Sequence, residues 1–304
     1  MRSARAFGAL ALVGVLSFAS ACGGDDGDEK AGKSVVVQAG NGAVTVPATP
    51  RRIVSLAPTH TETLFALGAG PQVVAADEYS TYPADAPRTK LSGFTPNAEA
   101  IIKYNPDLVI LSNDTGGIVK ALEKVKIPVL LEPAATSLDE VYDEIADLGL
   151  ATGRTEQARR VADGMKAQIQ QTVAATPKKD LGYYHELDEQ LHTVTSTTFI
   201  GRVYGLFGLR NVADPADKTG SGYPQLSRES LLKSDPDLVF LADVKCCSQN
   251  TASVAKRPGW KDLTAVRKGG VVELDDDVAS RWGPRLPELV KTIADAVRRV
   301  AAAK

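Results

Sequence analysis

From residue 53 onward the chain alternates short, unbroken apolar runs with stretches whose apolar positions recur every three to four residues. The runs Ile53-Val54-Ser55-Leu56, Val73–Ala76, Leu108–Leu111 and 127–131 are too short for helices and too continuous for half-exposed strands, so each predicts a buried strand. Helices are predicted between them. One opens at Pro58-Thr59-His60-Thr61-Glu62, where Thr59 and Glu62 have the spacing of a capping box, and runs to Gly68. Another opens at Ser137, with Glu140 completing the cap, and ends near Gly149. Such alternation predicts a Rossmann-like α/β lobe, a mostly parallel sheet flanked by helices. Residues 35–46 differ: they alternate and turn at Gly40-Asn41-Gly42, which predicts a hairpin leading into the lobe.

Residues 155 to about 176 carry no strand signal, and Ala158, Val161, Ala162, Met165, Ile169 and Val173 recur at helical spacing. One long helix is expected there, about 33 Å at 1.5 Å per residue, enough to cross from one lobe to another. A second set of strands and helices follows from Leu181 and closes with a helix from 284 to about 302, whose Leu286, Leu289, Val290, Ile293 and Val297 share a face. A repeat supports two lobes. Residues 99–111 and 229–241 match at seven of thirteen positions, each with a Glu on the first turn of a short apolar helix, a Pro-Asp break and a buried Leu-Val strand. Asn97 and Ser227, two residues ahead of each Glu, are the expected N-caps.

The first residues set the compartment. Arg2 and Arg5 precede an apolar run too short to span a bilayer, which ends in Ala19-Ser20-Ala21-Cys22. This reads as a signal peptide (1–21) with a lipobox and lipidation at Cys22, although Ala19 stands where Leu is usual; an ordinary cleaved signal is the alternative. A polar tether (22–34) follows, then an N-terminal lobe (35–152), a linking helix (153–177) and a C-terminal lobe (178–304). The location expected is the extracytoplasmic face of the cell membrane. With 35 basic and 37 acidic residues no basic stripe tracks nucleic acid. Cys246 and Cys247 are adjacent, and outside the cytoplasm they are expected either as a vicinal disulfide or as two free, partly buried thiols.

In parallel α/β sheets ligands bind beyond the carboxyl ends of the strands. The segments expected there carry aromatics and a few charges from both lobes, which suits a flat, partly polar organic ligand in a cleft. Through Arg52-Ile-Val-Ser-Leu-Ala-Pro58 with Thr61-Glu62, Glu78-Tyr79-Ser-Thr-Tyr82-Pro83, Tyr223-Pro-Gln-Leu-Ser-Arg-Glu229 and Asp277-Val-Ala-Ser-Arg281-Trp-Gly-Pro-Arg285, the chain resembles the iron-siderophore and vitamin B12 family of ABC-importer binding proteins. The likeness runs from about residue 44 to the C-terminus and is greatest to the B12-binding members. It implies a monomeric binding protein that delivers a chelate to a permease dimer driven by a cytoplasmic ATPase, with Glu99 and Glu229 docking on permease arginines. Contacts implied for a corrinoid are Tyr79, Phe94, Tyr223, Asp277 and Arg281; Tyr82 shares the cleft loop, and Asn113 and Asp114 replace an aromatic of those members. Tyr223 and Phe94 stand where those members tend to carry tryptophan, so a ferric siderophore or haem stays open, with Tyr183, Tyr184, His185 or Lys245 as contacts.

The same residues have plainer readings. Asp277 and Arg281, four apart, could form a local ion pair, Trp282 could simply pack, and the tyrosines could cover backbone. An extracellular metalloenzyme is disfavoured: His185-Glu186 and His192 are seven apart, where a zinc hydrolase helix needs four. Direct Zn²⁺ or Mn²⁺ binding is disfavoured because the chain has only three histidines. Neither a cofactor nor a protein-held metal is expected; the metal belongs to the transported cobalt or ferric chelate.

Overall fold

A computed structural model describes residues 34–47 and 49–303; the expected signal, Cys22 and almost all of the tether lie outside them. A hairpin of β1 (Val35–Ala39) and β2 (Gly42–Val46) leads into β3 (Ile53–Ser55), α1 (Pro58–Ala66), β4 (Val73–Ala76), α2 (Ala98–Ile102), β5 (Leu108–Leu111), α3 (Ile118–Glu123) and β6 (Val129–Leu131). Two long helices follow, α4 (Leu138–Ala151) and α5 (Thr155–Ala174). The second lobe runs β7 (Gly182–Glu186), α6 (Phe199–Gly205), β8 (Arg210–Asn211), α7 (Arg228–Ser234), β9 (Leu238–Leu241), α8 (Val244–Cys247), α9 (Thr251–Ala255), α10 (Thr264–Arg267), β10 (Val271–Glu273), α11 (Asp276–Ala279) and α12 (Leu286–Ala302).

Each lobe holds one four-stranded parallel sheet, ordered β4-β3-β5-β6 in the first and β8-β7-β9-β10 in the second. The two orders are the same topology. In both, the chain leaves the first strand to one side and returns on the other, which opens a crevice at the carboxyl ends of β3 and β5 and of β7 and β9. The repeat is structural as well. Asn97 Oδ1 accepts from Ala100 N at 2.9 Å and Ser227 Oγ from Ser230 N at 3.0 Å, so both predicted caps form. Asn105 and Asp235 then take left-handed backbone, at φ 45° and 40°, just before the repeated prolines. Asp107 accepts from Arg52 N at 2.9 Å and Asp237 from Gly182 N at 3.0 Å, tying the third strand of each lobe to its first. Local chemistry therefore accounts for the repeated Asp, and the repeated Glu gains from the helix dipole on the first turn of each helix.

The sheets are covered on both faces, and successive strand residues feed different cores. Ile53 and Tyr183 enter one cluster, which also takes in Leu148 of α4, Met165 and Ile169 of α5, and Leu289, Ile293 and Val297 of α12. Val54 and Val109 build a second cluster under the first lobe, and Tyr184 and Val239 a third under the second. The largest core is thus shared between lobes. The hairpin caps the outer strand of the first sheet: Asn41 donates to Val129 O at 3.0 Å and accepts from Leu131 N at 3.1 Å, closing an edge that would otherwise be free.

One predicted cap is corrected. α1 begins at Pro58 with Ala57 as N-cap, which has no side chain able to accept, so Thr59 and Glu62 form no capping box. Pro at the start of a helix needs no donor there, which removes part of the demand for a cap. Glu62 is 3% exposed and turns toward the second lobe. At α4 the expected cap forms by half: Ser137 Oγ accepts from Glu140 N at 3.2 Å, while the Glu140 carboxylate takes Thr136 N at 2.6 Å instead of its own cap.

Candidate functional site: an aromatic cleft tied by buried ion pairs

Glu62 is the centre of the contact between lobes. Its carboxylate accepts from Arg281 Nη1 at 2.5 Å and from Arg285 Nε and Nη2 at 2.7 and 2.6 Å. Arg281 then donates from Nη2 to Tyr79 O at 2.9 Å and to Asp277 Oδ1 at 2.8 Å, and Asp277 also takes Lys245 Nζ at 3.1 Å. Charges alternate along this chain from Arg285 to Lys245, so each buried ion has an opposite neighbour and most of its hydrogen bonds. A second tie runs beside it. Trp282 Nε1 donates to Glu144 Oε2 at 2.8 Å, with the buried His60 edge-on to the indole at 6.4 Å.

Around Arg281 the structure gathers most of the sequence-predicted contacts. Tyr79 and Phe94 meet edge to face at 5.7 Å, and both are exposed. The loop carrying Tyr79 is held from inside, where buried Asp77 accepts from Ser80 Oγ and Thr61 bridges Ser55 and Ser80 at 2.8 Å each. Burial pushes the Asp77 carboxyl above its ordinary value against those hydrogen bonds. Gly93 can only be glycine: an added Cβ would lie 2.3 Å from Leu56 O. Asn113 donates to Gly93 O at 3.1 Å, so it braces the turn that presents Phe94.

On the other side of Arg281 lies a cavity of 450 Å³ lined by Ala135, Thr198, Phe199, Tyr223, Arg281 and Trp282 among others, with walls from both lobes. Asp217 shapes the loop that presents Tyr223, accepting from Ser221 N at 3.0 Å and Gly222 N at 2.8 Å, and these bonds hold its carboxyl below the usual range. The exposed large apolar side chains of the described residues are Val36, Tyr79, Tyr82, Phe94, Val125 and Tyr223. The aromatics among them, Tyr79, Tyr82, Phe94 and Tyr223, are all residues to which the sequence points.

Several expected contacts stand elsewhere. Tyr184 and His185 are 0% and 1% exposed and offer no surface to a ligand. Tyr184 packs edge-on against Trp260 at 6.3 Å, and His185 Nδ1 shares a 2.8 Å hydrogen bond with Tyr204 Oη. Burial alone holds the His185 imidazole down at about 4, so it is neutral near pH 7. Tyr183 is equally enclosed, taking Asn211 Nδ2 at 2.8 Å. Tyr82 lies under the Arg285 guanidinium, 4.2 Å from its ring centre, and lines a separate groove with Phe65, Pro284 and Glu288. Lys245 is engaged by Asp275 and Asp277. Cys246 and Cys247 are joined as a vicinal disulfide and are exposed, not partly buried, on a helix whose first N–H groups all donate to Asp276. Glu99 and Glu229 are exposed on the first turns of α2 and α7, and no ion pair of the described residues includes either. Sequence reading missed Glu62 as a cleft residue, the Thr198-Phe199 wall, and Glu144 as the partner of Trp282; their partners lie too far along the chain for any local signal.

A two-lobed fold with exposed aromatics about a cleft between the lobes is the architecture of a solute-binding protein. The chain belongs to the periplasmic binding protein family, which it matches over residues 53–278. It is similar to the uncharacterised ABC transporter substrate-binding lipoprotein YvrC of Bacillus subtilis (strain 168), 30% identical over 95% of each chain. A cobalamin-binding protein of Halobacterium salinarum is 32% identical over 85% of this chain and 72% of its own. Among solved structures, the apo periplasmic haem-binding protein RhuT of Roseiflexus sp. RS-1 superposes with a TM-score of 0.72 at 25% identity, covering 84% of this chain and 99% of that one.

Proposed function

We propose that this chain is the extracytoplasmic solute-binding lipoprotein of an ABC importer, and that it captures a corrinoid such as cobalamin and delivers it to a permease dimer with a cytoplasmic ATPase. The observation that carries the reading is the set of exposed aromatics, Tyr79, Phe94 and Tyr223, disposed about one buried arginine. Exposed aromatic surface is costly in water and is retained where a flat ligand covers it. Arg281 and Tyr223 supply donors for the polar rim of such a ligand. Cys22 carries the lipid anchor and residues 22–34 the tether, a reading supported by the lipobox and by the lipoprotein name of the Bacillus relative. Glu99 and Glu229 dock on the permease, since each lobe spends an unpaired exposed carboxylate at the same place.

Ferric siderophore and haem are the alternatives, and the relatives and solved structures include binders of both iron chelates and haem. With Tyr184 and His185 enclosed, an iron ligand would have to come from an exposed tyrosine such as Tyr79 or Tyr223. A fluorescence titration of the purified protein with cyanocobalamin, haem and a set of ferric siderophores separates these readings. Saturable one-to-one binding of cyanocobalamin is expected. Binding confined to haem or a ferric siderophore would keep the importer and overturn the corrinoid.

A further inference from the structure

On α4, Glu140, Asp143, Glu144 and Asp147 fall at i, i+3, i+4 and i+7, so four carboxylates share one face over about 10 Å of helix. Like charges at these spacings weaken a helix; Glu140 and Glu144 have partners in Thr136 and Trp282, whereas no hydrogen bond or ion pair of the described residues engages Asp143 or Asp147. Together with Glu132, at the end of β6, they line a recess of 260 Å³ whose lining contains no basic side chain. Glu132 is the independent sign that the recess is built to hold something. Its side chain is 96% removed from solvent on a relative exposure of 4%, it lines the recess, and its Oε1 has no hydrogen-bond partner among the described residues. A buried carboxylate is ordinarily paired, and one left without a partner is expensive. Burial, then Asp147 and Glu144, push the Glu132 carboxyl up to about 8; burial, then Asp143 and Glu144, push Asp147 up to about 6. Such shifts arise where carboxylates crowd without a cation among them.

We propose that this recess binds a small organic cation bearing ammonium or guanidinium groups, held chiefly by Glu132 and Asp147. Its breadth sets the class. No three acidic or histidine side chains of the described residues converge closely enough for a metal ion, and the carboxylates are strung along two helical turns, a spread that suits a linear polyamine. Glu144 is partly spoken for by Trp282 and by His60 at 3.6 Å, and Glu140 by Thr136, which leaves Glu132, Asp143 and Asp147 to the ligand. The recess shares Ala134 with the cavity beneath Tyr223, so the two sites are neighbours with separate linings otherwise.

Calorimetric titration of the purified protein with spermidine at low ionic strength and pH 7.5 tests this. One saturable site per chain is expected, weakened about tenfold or more by Glu132→Gln and by Asp147→Asn, and unchanged by Asp163→Asn, an exposed acid on α5. Glu132→Gln is isosteric and keeps the side chain neutral, as a carboxyl raised to about 8 largely is at pH 7.5, so its melting temperature should stay close to the parent's; Asp147→Asn gives the same test at a half-buried position. Non-saturating heats, or equal weakening by Asp163→Asn, would reduce the effect to diffuse attraction and overturn the site. Tighter binding of Ca²⁺ or Mn²⁺ than of spermidine would overturn the organic cation. Neither Arg281 nor Tyr223 is involved, so the result stands apart from that of the chelate titration.

Discussion

Glu62 holds two guanidinium groups with one buried carboxylate, and through Arg281 it fixes the polar centre of the cleft. Replacing it with alanine would leave the partly buried Arg285 without its carboxylate partner and Arg281 with Asp277 alone. Removing one partner of such a pair costs about 3–5 kcal/mol, so Glu62→Ala is expected to lower stability by about that amount in chemical denaturation and to weaken ligand binding through the displaced Arg281. A second residue-scale expectation concerns pH. Glu132, Asp243 and Asp147 have carboxyl groups pushed up to about 8, 7 and 6, each chiefly by burial. A carboxyl raised in the folded state binds its proton more tightly there than in the unfolded chain. Its contribution is therefore fully present below about pH 4.5 and is lost as pH rises through the folded value. Between pH 5 and 8 these groups make stability fall with pH, and Glu132→Gln should flatten the upper part of that slope in thermal melts. At this scale the sequence was least legible. Glu62 sits where a capping box would place it, and its partners lie 219 and 223 positions away. The acidic face of α4 could be read from its spacing, but the burial of Glu132 beside it could not.

At the scale of elements, local signals were dependable. Unbroken apolar runs of four residues became buried strands because both faces of each sheet are covered, and Asn97 and Ser227 cap their helices as their positions imply. The same two-sided cover explains why Tyr184 and His185 fail to reach the cleft. In a half-exposed sheet one of two successive residues would face outward, whereas here Tyr183 enters the shared core and Tyr184 the core of the second lobe. The repeated elements carry the docking prediction. Glu99→Ala combined with Glu229→Ala should abolish uptake in cells while leaving chelate affinity unchanged in vitro. Each change costs at most about 0.3–1 kcal/mol through the lost helix-dipole interaction. A loss of affinity in the double variant would show these glutamates to be structural instead.

At the scale of the molecule, two lobes of equal topology were foreseeable from the repeat and from the long apolar stripe of α5. That their cores merge was not. α4, α5 and α12 bury their faces in one cluster reached by both sheets, and the Arg281, Trp282 and Arg285 segment is pinned to the first lobe by Glu62 and Glu144. Merging depends on which helix faces meet, information that periodicity alone does not hold. The consequence is a cleft whose walls are set by shared packing, with the aromatic residues carried on loops at its mouth. The most direct test of the account is calorimetric titration of cyanocobalamin into the wild-type protein and Tyr223→Ala. The account predicts one site in the wild type and a loss of about 2 kcal/mol, some thirtyfold in affinity, in the variant. Equal affinity in both, or no binding to either, would contradict it.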